Sequence, residues 1–150
     1  MPISLGYHLA NTTLDEPELR AIAYKIGYLF QAQDDFLDCC AKESATGKSS
    51  CDIAEGKCTW ITCQLLSKLG DNSEKRALFL QHFGKEEGEH VRAAKAIVFE
   101  YGVKEDFERF RSTFIAELHK DINNASGLAK IHDLLHTVLD EEIAKDKRSA

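Results

Sequence analysis

The run from Asp15 to Asp38 is long, free of internal glycine pairs and proline breaks after its first turn, and periodic in a way that only a helix can use. Asp15 is a capping residue and Pro17 stands in the first turn, where a missing N–H costs nothing. Ile22, Ile26, Leu29, Phe36 and Leu37 fall on one side of a wheel turned about 100° per residue. Gln31, Asp34, Asp35 and Asp38 stand at i, i+3, i+4 and i+7 and share the other. An amphipathic helix of this length needs other helices to cover it, so the run sets the fold class.

The rest of the chain agrees. Only two prolines occur, Pro2 and Pro17, and alternating β-branched residues are scarce. An apolar segment covers Ile3 to Leu9, with Met1 and Pro2 leading into it as though a helix were already under way. Lys42 to Cys51 reads as a loop. A helix opening at Asp52 and Glu55 in capping-box spacing is stopped by Gly70. Further helices are expected from about Ser73 to Phe83, Glu86 to Tyr101, Lys104 to Asn123 and Ser126 to Lys145, with Gly84 and Gly102 as stops. The expectation is one all-α domain over 1–150 with short connections.

Composition excludes several function classes. With 43% hydrophobic and 29% charged residues, the chain of 150 has material for a core and no signature of disorder. A net charge of −6 leaves no basic footprint for nucleic acid. No apolar run reaches the ~18 residues that span a bilayer, and the N-terminus lacks a signal peptide's positive flank, so a cytoplasmic location is expected. The five cysteines (Cys39, Cys40, Cys51, Cys58 and Cys63) are odd in number and lack zinc spacing; they read as free thiols. His132 and His136 at i, i+4 lack a third ligand. Glu87 with His90 is a single ExxH where a di-iron bundle needs two.

The acidic stripe has two readings. One is a solvated surface, where like charges at i, i+4 cost a few tenths of a kcal/mol. The other is a set of carboxylates for a hard divalent cation; Mg²⁺ uses one or two carboxylates and bridges to phosphate oxygens. Lys48 in the loop and Lys57 beyond it supply the complementary charge for a metal-bound diphosphate. Asp52 could orient Lys57, hold a metal-bound water, or cap its helix.

The stretch "GYLFQAQDDFLDCCAKESATGKSSCDIAEGKCTW" resembles the second aspartate-rich region of the trans-isoprenyl diphosphate synthases, and within them the farnesyl diphosphate synthases. The elements that carry the resemblance are Phe30-Gln31, Gln33-Asp34-Asp35, Leu37-Asp38, Thr46-Gly47-Lys48, Asp52, and Lys57-Cys58 with Trp60. Likeness continues through "HFGKEEGEHVRAAKAI" towards the C-terminus. The resemblance implies the helical isoprenoid synthase fold, a homodimer, and Mg²⁺-dependent condensation of isopentenyl diphosphate with an allylic diphosphate. It also implies roles: Asp34 as metal ligand with Asp35 and Asp38 supporting it, Lys48 and Lys57 on diphosphate, Gln31 at the diphosphate end and Phe30 at the prenyl chain.

Two departures limit what the resemblance implies. The family carries two aspartate-rich motifs, and this chain matches only the second; "DEEIAKD" and "EDFE" lack the spacing of another. Ser50 stands where relatives have glycine in the Lys48 loop. The chain therefore reads as the C-terminal portion of such an enzyme, expected to be inactive alone, with a non-catalytic helical partner or regulatory fragment of a full-length synthase as the alternative.

Overall fold

A computed structural model describes residues 16–40, 52–71 and 74–125, together with Asp133, His136 and Thr137. The described residues form helices joined by turns and contain no strand. In order they are α1 (Glu16–Cys40), α2 (Trp60–Leu69), α3 (Glu74–His82), α4 (Gly88–Glu100) and α5 (Val103–Asn124). No helix among the described residues is long and apolar enough to cross a membrane. The expected segments Ile3–Leu9 and Lys42–Cys51 lie outside the described residues, as does most of Ser126–Lys145.

The chain divides into two compact units, residues 1–30 with 112–150, and residues 31–111. In the first, Leu19, Ile22, Ile26 and Leu29 of α1 recur at helical spacing and are buried, as are Leu118 and Ile122 of α5. Lys25 meets Asp121 at 2.6 Å, but the pair is too exposed to add more than a few tenths of a kcal/mol. Tyr28 tilts against Phe114, with ring centroids 5.7 Å apart.

The second unit has the denser core. Leu65 of α2, Phe79 of α3, Ala94 of α4 and Val103 of α5 are fully enclosed, with Ile61, Ile97 and Val98 around them. These are the apolar positions that the 3.6-residue period of each helix turns inward. Phe107 stacks on Phe36 at 4.1 Å and takes the edge of Trp60 at 5.3 Å. Asp106, in the first turn of α5, pairs with Lys68 and accepts from Arg109; the close Lys68 ammonium is the main reason its carboxyl is held below the usual range.

One expected helix start is corrected. α2 begins at Trp60, and residues 52–56 form turns. Gly56 adopts φ +67°, a left-handed conformation that ends any helix opening at Asp52. Thr59 takes over as cap: it is extended (φ −100°, ψ 170°), its hydroxyl accepts from the Thr62 N–H, and the Thr62 hydroxyl accepts from the Thr59 N–H.

Gly56 is fixed on two counts. Besides its φ, a Cβ there would stand 3.3 Å from the Gly84 Cα, and the same turn is tied down by Gly84 N–H donating to Ile53 C=O at 2.9 Å. Gly56→Ala is expected to cost about 1–2 kcal/mol from the left-handed strain alone, read as a shift of the urea midpoint with unchanged slope. An unshifted midpoint would mean that the turn relaxes freely.

Candidate functional site

The site is built where the end of α1 meets the turn before α2, all within residues 31–111. The four polar residues of the α1 stripe do not share one environment. Asp34 is exposed, and no described residue bonds its carboxylate. Asp35 is only 7% exposed. Its Oδ1 accepts from Gln31 Nε2 at 2.9 Å and its Oδ2 accepts from the Trp60 backbone N–H at 2.8 Å. Asp38, half-buried, accepts from the Asp52 backbone N–H at 2.8 Å through Oδ2.

Of the two readings of the stripe, the solvated surface does not describe Asp35. Its carboxylate lies on the N-terminus of α2, where the first N–H groups have no helical partner and the helix dipole favours negative charge. The charge has a structural use, and both oxygens are engaged in it. Among the described residues, nothing bonds the Asp34 carboxylate, and only Oδ2 of Asp38, one turn on, has a partner.

Lys57 lies in the non-helical residues 57–59 ahead of α2, not inside the helix expected to open at Asp52. Its Nζ donates to Asp52 Oδ1 at 2.8 Å and pairs with Glu55 Oε2 at 2.7 Å. These hydrogen bonds, Asp52's first and Glu55's second, hold the ammonium above the usual lysine range, so it carries its charge at any ordinary pH. Asp52 thus joins the two halves of the site: its N–H reaches Asp38 and its side chain reaches Lys57. Lys95 of α4 also reaches this corner, its Nζ 3.5 Å from the Asp38 carbonyl in the last turn of α1. That position suits a cation, and nothing in the local spacing signalled it.

Lys48, with Thr46 and Gly47, lies outside the described residues. Phe30 is half-buried on α1 and belongs to the other compact unit. Gln31 is exposed and orients Asp35. Trp60 packs against Phe107 and Phe110, at 5.3 and 5.0 Å, so the residue that donates to Asp35 is held by an aromatic wall.

Among the described residues no group of three or more His, Cys, Asp or Glu is placed to hold a metal ion. The exposed Asp34 and the half-engaged Asp38 suit Mg²⁺, which keeps several waters and needs one or two carboxylates beside substrate phosphates. The histidines among the described residues are otherwise engaged: His90 Nδ1 meets His82 Nδ1 at 2.7 Å, and His136 meets His119 at 2.8 Å; His8 lies outside them. His132 lies outside the described residues.

Comparison with known proteins shows the family. The polyprenyl synthetase family profile matches residues 1–101. A farnesyl pyrophosphate synthase of Schizosaccharomyces pombe is 31% identical over 135 residues, covering 87% of this chain and 38% of that protein. The farnesyl pyrophosphate synthase vrtD of Penicillium aethiopicum is 32% identical over 147 residues, covering 97% of this chain and 40% of that one. The chain thus spans about two fifths of the length of the curated relatives it matches. Among solved structures, a T. brucei farnesyl diphosphate synthase complexed with a bisphosphonate superposes with a TM-score of 0.83 over 94% of this chain and 48% of that one, at 22% identity. The described helices share that helical fold.

Proposed function

The chain belongs to the polyprenyl synthetase family, and from that premise we propose that it carries one diphosphate-binding face of a Mg²⁺-dependent prenyltransferase of the farnesyl diphosphate synthase kind, condensing isopentenyl diphosphate with an allylic diphosphate. The observation that carries the reading is the linked set Asp38–Asp52–Lys57 beside the exposed carboxylate of Asp34. Asp34 and Asp38 would hold Mg²⁺, which when bound offsets diphosphate charge and stabilises the departing pyrophosphate. Lys57, permanently charged and kept in place by two carboxylates, faces the remaining phosphate charge as a point partner. Asp35 and Gln31 act behind the face by fixing α1 against the start of α2. Lys48 would add a second cation from the adjoining loop.

Only one aspartate-rich face is present on this chain, so the isolated chain is expected to show no turnover. A chimera tests the reading. The chain replaces the matching portion of the S. pombe synthase, and condensation is assayed with and without Mg²⁺. Activity that requires Mg²⁺ and falls at least about a hundredfold in Asp34→Ala is the expected result. A folded, inactive chimera would overturn it.

A second reading, a non-catalytic partner of a full-length synthase, draws on Tyr24 and Tyr28 of α1, which are 67% and 52% exposed. Large exposed aromatics are suited to a protein partner. The same chimera separates the two, because a partner protein does not supply a working diphosphate face.

A further inference from the structure

The capping geometry that starts α2 brings two sulfurs together. With Thr59 as N-cap, Cys58 is the residue before the cap and Cys63 is the fourth residue of the helix. These are the two positions that a hydrophobic staple packs against each other, so their approach follows from the cap itself. In this chain both are cysteine. Their Sγ atoms stand 3.3 Å apart, both residues are exposed, and both thiols are free. Cys39, by contrast, is buried, and Cys40 half-buried, on α1. Bonded sulfurs lie about 2.05 Å apart, so closing the pair needs roughly 1 Å of movement, within reach of side-chain rotation.

We propose that Cys58 and Cys63 are a reversible dithiol–disulfide pair, a modification site that closes the N-terminus of α2 covalently beside Lys57. The oxidant class is a hydroperoxide. The Cys58 thiolate attacks the O–O bond, which breaks to leave a sulfenic acid on Cys58 and release an alcohol once the leaving alkoxide is protonated. Cys63 Sγ then attacks Cys58 Sγ; the S–S bond forms, the S–O bond breaks, and the hydroxyl leaves as water with the Cys63 proton. The two sulfurs together lose two electrons, and the hydroperoxide gains them. A small thiol reverses the step by exchange. The hydrogen bond that the Cys63 S–H donates to Cys58 Sγ pushes the Cys63 thiol up from its usual range, which keeps Cys63 the protonated, resolving member. The inference does not depend on the proposed function, since it rests on the α2 cap alone.

The sequence makes the test direct. Lys57 and Lys68 are the only tryptic sites that bound the segment, so one peptide, 58–68, carries both cysteines. The full chain is treated with hydrogen peroxide, remaining thiols are alkylated, and the digest is weighed. Peptide 58–68 is expected without alkylation and about 2 Da lighter than the dithiol, becoming doubly alkylated after reduction. Cys63→Ser is expected to lose that product and to leave a sulfenic acid on Cys58 that a dimedone probe captures. On oxidation of the wild type, amide exchange at Thr62 and Cys63 slows at least about tenfold. Both cysteines of 58–68 alkylated after peroxide, or joined instead to Cys39, Cys40 or Cys51, would overturn the pairing. Unchanged exchange at Thr62 would overturn closure of the helix start.

Discussion

Replacing Phe107 with alanine lowers the free energy of unfolding by about 3–5 kcal/mol. Phe107 is 1% exposed and lies between Phe36, stacked at 4.1 Å and 8°, and Trp60, edge-on at 5.3 Å and 80°. Truncation removes the buried ring's transfer free energy, leaves a cavity that neighbouring helices cannot fill, and takes away two aromatic contacts. Phe107→Leu keeps most of the volume and is expected to lose about 1–2 kcal/mol. Trp60 is the sole tryptophan and touches Phe107 directly, so urea unfolding followed by its fluorescence reports on this contact. A loss under about 1 kcal/mol for Phe107→Ala would show that the aromatic wall behind Asp35 is not a core element.

The second large effect separates neighbours that the sequence treats as equals. Asp35→Ala is expected to destabilise by about 1–3 kcal/mol, because it strands the Trp60 N–H at the start of α2. Asp35→Asn keeps the shape but turns one acceptor into a donor, so about 1–2 kcal/mol is lost. Asp34→Ala, one residue earlier and exposed, changes stability by less than about 0.5 kcal/mol. Equal losses at the two positions would contradict the division between a carboxylate buried on the start of α2 and an exposed one.

That division marks what a single sequence can carry. The 3.6-residue period sets which apolar residues turn inward, and it places α1, α4 and α5 within a few residues of their ends. It also puts Asp34, Asp35 and Asp38 on one flank. It cannot say what approaches that flank, and Asp35 meets a backbone N–H 25 residues further along. The misplaced start of α2 has a related cause. Asp52 and Glu55 have capping-box spacing, but a cap also needs an extended backbone followed by an unbroken helix, and Gly56 at φ +67° breaks it. Thr59 and Thr62 form the box that is used, a Thr-x-x-Thr variant that the usual Ser/Thr-x-x-Glu/Gln signature passes over. The sequence places Lys57 shortly after the acidic stripe, but its bonds to Asp52 and Glu55 depend on the turn that Gly56 makes.

The central claim is that Asp34 and Lys57 bind a Mg²⁺-diphosphate unit while Asp35 holds the face together. Calorimetric titration of the chain with inorganic pyrophosphate, with and without Mg²⁺, tests it most directly. The account predicts binding that requires Mg²⁺ and is weakened at least about tenfold, or ~1.4 kcal/mol, by Asp34→Ala and separately by Lys57→Met, with the unfolding curves of both variants unchanged. Wild-type binding that is absent, indifferent to Mg²⁺, or undiminished in Asp34→Ala would contradict it.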